Sequence, residues 1–169
     1  MQRIVGAVII LSATNWIGWS ENQKHKTRLV LTKEFIGALE KMQREMSFSL
    51  RPLPEVLLLL SKETRYPVSA FFENSARYAV SPERSFTHHW SDELIKLEDV
   101  MDAPSLAVLE QVGRGIGKYD EKGELSLLSS AIAQLRKYAE RAEAEIREKN
   151  RLRQTIGVTA GMFLILILS

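Results

Sequence analysis

The sequence predicts an all-α protein, an antiparallel bundle of about six helices whose first and last members extend into N- and C-terminal transmembrane anchors. Three observations predict it. Apolar residues recur at steps of three and four through the middle of the chain, as on one face of a helix, with no strand-like alternation. Prolines and polar turn residues cut that middle into segments of helix length. Both ends carry no charge: Ile4 to Trp19 is apolar but for Ser12, Thr14 and Asn15, and Thr155 to Leu168 is mostly Ile, Leu, Val, Gly and Phe.

The ends set the organisation. A bilayer core about 30 Å thick asks for roughly 20 apolar residues in a helix. Both end segments are a little shorter, which local thinning and snorkelling flanks accommodate. The expected domains are a transmembrane helix over residues 1–20, a cytoplasmic helical bundle over 21–153 and a second transmembrane helix over 154–169. Orientation follows from basic residues: Lys24, Lys26 and Arg28 after the first segment, and Arg147, Lys149, Arg151 and Arg153 before the last. Both clusters lie where Lys and Arg hold a flank in the cytoplasm. Trp16 and Trp19 stand where interfacial aromatics are expected. A cleaved signal peptide is the competing reading, but bulky tryptophans follow Ser12-Ala13-Thr14 where a small-residue cleavage site is needed.

Composition bounds the rest. Of 169 residues, 23 are Lys or Arg and 21 Asp or Glu, a net charge of +2, and none is Cys. The lack of cysteine removes disulfides, thiol catalysis and thiolate metal sites from consideration. Without the anchors about 130 residues remain, enough for one domain with a core. The basic excess sits at the membrane flanks, where anionic lipid explains it. No basic, aromatic-rich stripe points to nucleic acid.

Along the domain, Phe35, Leu39, Met42 and Met46 share one face of a helix ending near Ser49. Arg51-Pro52-Leu53-Pro54-Glu55 breaks it, and Pro54 suits the first turn of a second helix through Val56 to Leu60. A turn at Tyr66-Pro67 precedes a third helix with Phe71, Phe72, Ala76, Ala79 and Val80 inward. Ser81-Pro82-Glu83 reads as the start of a fourth, with Ser81 as N-cap, carrying Phe86, Trp90, Leu94 and Leu97. Asp102-Ala103-Pro104 opens a fifth, with Leu106, Leu109 and Val112 inward; Gly113, Gly115 and Gly117 close it. Asp120 to Gly123 reads as a turn. The last helix carries a seam of Leu125, Leu128, Ile132, Leu135, Ala139, Ala142 and Ile146.

Chemistry is sought and mostly not found. Gly113-Arg114-Gly115-Ile116-Gly117-Lys118-Tyr119 departs from a P-loop: Val112 stands where the first glycine is required, and Tyr119 where the magnesium-holding hydroxyl is required. His88 with Asp92, or His89 with Glu93, offers two metal ligands where three or four are needed. No nucleophile, base and acid assemble. No catalytic, cofactor or metal residue is therefore expected, and no small-molecule substrate. The alternative is a membrane-anchored ligand sensor or enzyme built on the His88 and His89 region. Glu140, Glu143, Glu145 and Glu148 alternate with Arg136, Arg141 and Arg147, a face of i, i+4 pairs or a partner-binding face. The expected partner-binding residues are Arg51 and Glu55 at the break, and Arg136, Glu140, Arg141, Glu143 and Arg147 on the last helix. Gly157 and Gly161 form a GxxxG step for helix packing within the membrane.

The chain resembles the stage III sporulation protein AB family of endospore-forming bacteria over its whole length. The resemblance rests on the N-terminal anchor, Pro52-Leu53-Pro54-Glu55 after a long helix, Trp90 in a middle helix, Ile116-Gly117-Lys118-Tyr119-Asp120, and Ile156-Gly157-Val158-Thr159-Ala160-Gly161. It departs where the family usually has a glutamine after the turn at Asp120: Glu124 stands there, and Gly123 is unusual. The resemblance implies a domain similar to the six-helix F domain of type II secretion and type IV pilus platform proteins. It implies a scaffold role in a channel-like complex joining mother cell and forespore, on the mother-cell side of the outer forespore membrane. Its implied partners are a cytoplasmic secretion-type ATPase and other membrane components of that channel, and it implies no enzymatic activity.

Overall fold

The structure is a computed structural model of the 169-residue chain. It describes the backbone of residues 2–48, 51–79, 85–118 and 120–168, and within these the side chains of all but residues 2–22, 121, 150 and 153–168. Six helices follow in order, α1 Gln2–Phe48, α2 Leu53–Glu63, α3 Val68–Ala79, α4 Phe86–Ile95, α5 Ala103–Gly115 and α6 Glu121–Leu168, with no strand among the described residues.

The chain divides into two compact units. One comprises Met1–Lys26 with Glu140–Ser169, the other Thr27–Ala139. In the first unit the backbone is helical up to residue 168, while the side chains of both uncharged end segments lie outside the described residues. So do Trp16, Trp19, Gly157 and Gly161. Among the described residues, no helix is long and apolar enough to cross a membrane.

The second unit holds the core. In it α1 pairs with α6, and α4 packs on α5. The outer pair is fixed by cross-helix bonds: Gln43 Nε2 donates to Ser129 Oγ at 2.6 Å, and Arg136 Nη2 to Glu40 Oε1 at 2.6 Å. As the position falls along α1 it rises along α6, so the two run antiparallel. Lys41 pairs with Glu63, and the Arg65 amide donates to the Glu34 carboxylate, tying α1 to α2 and the turn beyond it.

The core stripes are those the spacing predicts. Phe35, Leu39 and Met42 of α1 and Leu128, Ile132, Leu135 and Ala139 of α6 are buried. Burial along the α6 seam then fades, and Ala142 and Ile146 are only half-buried. At the centre is an aromatic cluster. Phe71 meets Phe35 edge to face at 5.3 Å and Trp90 at 4.7 Å, and Phe72 and Phe86 close round the indole. Edge-to-face rings add to the burial of their large apolar area. Trp90 is fully buried, and its one polar atom, Nε1, donates to the Leu109 carbonyl at 2.8 Å.

Three element ends differ from the sequence reading. The helix start expected at Ser81-Pro82 lies, with Val80, in residues 80–84, outside the described residues; α4 itself begins at Phe86 with Ser85 as N-cap. Leu97 is buried, but in the turn after α4: the amides of Leu97 and Val100 reach back three residues to Leu94 and Leu97, tightening the chain into turns. Third, Asp120 to Gly123 is the entry of α6 rather than a separate turn. Asp120 Oδ1 accepts from the Gly123 amide at 3.1 Å, the bond of an N-cap side chain to the third helical residue. Glu124 Oε1 accepts from the Gly117 amide at 2.6 Å, joining the end of α5 to the start of α6. A glutamine carbonyl at this position offers the same acceptor.

Candidate partner-binding surface

The charged residues singled out by sequence are on the surface, but they choose partners the sequence does not show. Arg51 is exposed, and its Nε lies 3.4 Å from Glu45 Oε2 in the last turns of α1 rather than on Glu55. That Glu45 oxygen is buried without a hydrogen bond, so the Arg51 cation is its electrostatic compensation. Glu55 is exposed in the first turn of α2, where its charge favours the helix N-terminus.

Arg136 is 60% exposed and pairs with Glu40 of α1, not with Glu140 one turn along its own helix. The reason is its place in the helix. Residue 136 follows Leu135 of the buried seam, at the edge where α6 packs on α1, and a long guanidinium reaches the facing helix from there. The expected i, i+4 pairing holds at one place among the singled-out residues: Arg147 Nη2 donates to Glu143 Oε2 at 2.9 Å. Glu140 and Arg141 are exposed. Exposed pairs of this kind stabilise by about 0–1 kcal/mol each, so these charges contribute little to the fold.

The residues that first suggested chemistry are dispersed. His88 is exposed, its Nε2 3.8 Å from Asp92 Oδ2. His89 instead lies flat on Tyr78, centroids 3.6 Å apart and planes within 4°. Glu93, the acid one turn from His89, is buried; it accepts from Asn74 Nδ2 at 3.0 Å and pairs with Lys96. Among the described residues no three His, Asp or Glu side chains converge as metal ligands. Gly113 and Gly115 belong to α5, so their amides are committed within a helix rather than free to cradle a phosphate. Gly117 takes positive φ, +78°, where the chain turns towards α6.

Two placements are not visible in the sequence. Glu40 and Glu45 are the acids that meet Arg136 and Arg51, and no spacing reveals this because the register between helices is a tertiary property. Gly113 was assigned to a helix end; it is the point where α5 meets the indole of Trp90.

Comparisons with known proteins agree with this architecture. A family model described as stage III sporulation protein AB matches residues 3–169. A curated stage III sporulation protein AB from Bacillus subtilis (strain 168) is 25% identical over 170 residues, covering 99% of each chain. A solved structure of a stage III sporulation protein AB has the same fold, with a TM-score of 0.65 and 22% identity, over 72% of this chain and 97% of that one. The chain therefore belongs to the stage III sporulation protein AB family.

Proposed function

We propose that this protein is a non-catalytic platform of a secretion-like channel complex in endospore formation. In this reading a cytoplasmic helical bundle couples a secretion-type ATPase to the membrane assembly. The observation that carries it is family membership over nearly the whole chain, residues 3–169, which brings a role in stage III of spore formation with it. The F-domain likeness that the family resemblance implies supplies the mechanical part.

On this reading residues 1–20 and 154–169 are anchors, the termini lie across the membrane from the bundle, and Gly157 and Gly161 pack one anchor against another membrane helix. Two features support it. α1 and α6 are each one helix that includes an uncharged end segment and residues of the bundle. The exposed charges of α6 contribute little to stability, as expected of a surface kept for a partner. Nothing favours the alternative of a ligand sensor on His88 and His89, since one ring faces solvent and the other stacks on Tyr78.

The test is crosslinking of the full-length chain in membranes of sporulating cells. The reading expects a secretion-type ATPase and membrane components of the channel among the adducts. A membrane-bound chain that never crosslinks to such an ATPase contradicts the coupling role.

A further inference from the structure

A groove of about 300 Å³ opens between α4 and α5. Its apolar lining comes from Leu94, Ile95, Leu106 and Ala107, and Glu98 and Glu110 add carboxylates. Leu94 belongs to the core, but Ile95 beside it is 59% exposed, a β-branched side chain that the fold itself does not cover. Glu110 is held in place by Ser91 Oγ at 2.7 Å and Arg114 Nε at 3.0 Å. The Glu98 side chain is exposed in the turn after α4 and makes no hydrogen bond or ion pair among the described residues.

The charge around this groove is unlike that of the chain. The groove lining carries two carboxylates, Glu98 and Glu110, and no cation. The chain as a whole is +2. Of the two acids, Glu110 is paired with Arg114 and Glu98 is left unneutralised. A strip of apolar side chains between two helices, flanked by acids, is complementary to a helix with apolar residues at i, i+3 and i+4 and Lys or Arg beside them. Like charge in the same groove is rejected.

We infer that the α4–α5 groove is a docking site for a basic amphipathic helix of a partner protein, with Ile95 at the contact and Glu98 steering it. This deepens the platform reading, and rests on it for the existence of a partner. It uses residues different from the α6 face and the Arg51–Glu55 break.

The experiment places photoreactive benzoylphenylalanine at position 95 of the full-length chain in sporulating cells, with position 58 on α2 as the control, since Leu58 is also exposed. The crosslinked peptide is then sequenced. The expected adduct is a peptide of another protein with net positive charge and apolar residues at helical spacing, formed at 95 and not at 58. Glu98→Lys should lower its yield about fivefold or more through lost attraction and added repulsion. Any of four results overturns the inference: no adduct at 95, an adduct to lipid or a second copy of this chain, an adduct to a neutral or acidic peptide, or equal yield from position 58. The platform reading fails separately, on whether whole-chain crosslinking finds a secretion-type ATPase, whatever segment docks at Ile95.

Discussion

The indole of Trp90 lies so close to Gly113 that a Cβ added there would stand 2.1 Å from Cδ1 and 2.4 Å from Cγ. The ring cannot retreat: Nε1 is bonded to the Leu109 carbonyl, and Phe71, Phe72 and Phe86 surround it. The two residues are on different helices, and their contact sets how near α4 and α5 come. The second groove wall of the proposed docking site depends on that approach.

Gly113→Ala should therefore destabilise the protein, although alanine is the better helix former by about 0.5–1 kcal/mol. Overpacking a tight interior costs about 1–3 kcal/mol and should win. Denaturant unfolding measures the net loss. In a Trp90→Ala background the same change should cost nothing or stabilise, because the clashing ring is gone and the helix preference is left.

Trp90→Ala by itself should cost about 3–5 kcal/mol, as large aromatic truncations in cores do. It removes the centre of the aromatic cluster and deprives the Leu109 carbonyl of its side-chain donor. A loss below about 1 kcal/mol would mean that the indole is not packed as described.

Asp120→Ala should destabilise the entry of α6 by about 0.5–2 kcal/mol, the usual cost of an N-cap side chain. Glu124→Gln should be close to neutral, because its carbonyl still accepts from the Gly117 amide. Glu124→Ala should not be neutral. Thermal melting of the three variants side by side checks the order.

A topology reporter that works only in the cytoplasm should be active when inserted near Gly123 and silent when fused after Ser169. The basis is the basic residues on the inner flanks, Lys24, Lys26 and Arg28 after the first anchor and Arg147 to Arg153 before the second. Activity at the C-terminal fusion would overturn the two-anchor reading.

Much of the helical order was legible because burial writes a period into sequence. Phe35, Leu39 and Met42, and Leu128, Ile132 and Leu135, are inward in both pattern and structure. The opening of α5 at Asp102-Ala103-Pro104 was legible, and the Asp102 carboxylate caps it by accepting from the Ser105 amide at 3.0 Å. What was not legible depends on two elements at once. Gly113 looks like a helix terminator until Trp90 is placed against it. Arg136 looks like a partner for Glu140 until α1 brings Glu40 alongside. Ser81-Pro82 has a good start signature, yet α4 is preceded by Ser85, whose side chain makes no capping bond. The surface that serves a partner was the least legible part, because a partner's chemistry leaves only charge and exposure on this chain.

The central claim is that exposed charge on the bundle serves a partner rather than the fold. Its most direct measurement pairs a sporulation assay with a melting curve for charge reversals in the full-length protein: Arg136→Glu, Glu140→Lys and Arg141→Glu, with Trp90→Ala as the unfolding control. Each reversal should change stability by about 1 kcal/mol or less. The account predicts that at least one abolishes spore formation while its melting temperature stays near that of the parent. If every loss of spore formation tracks a loss of melting temperature, these charges are solvated surface and the claim is contradicted.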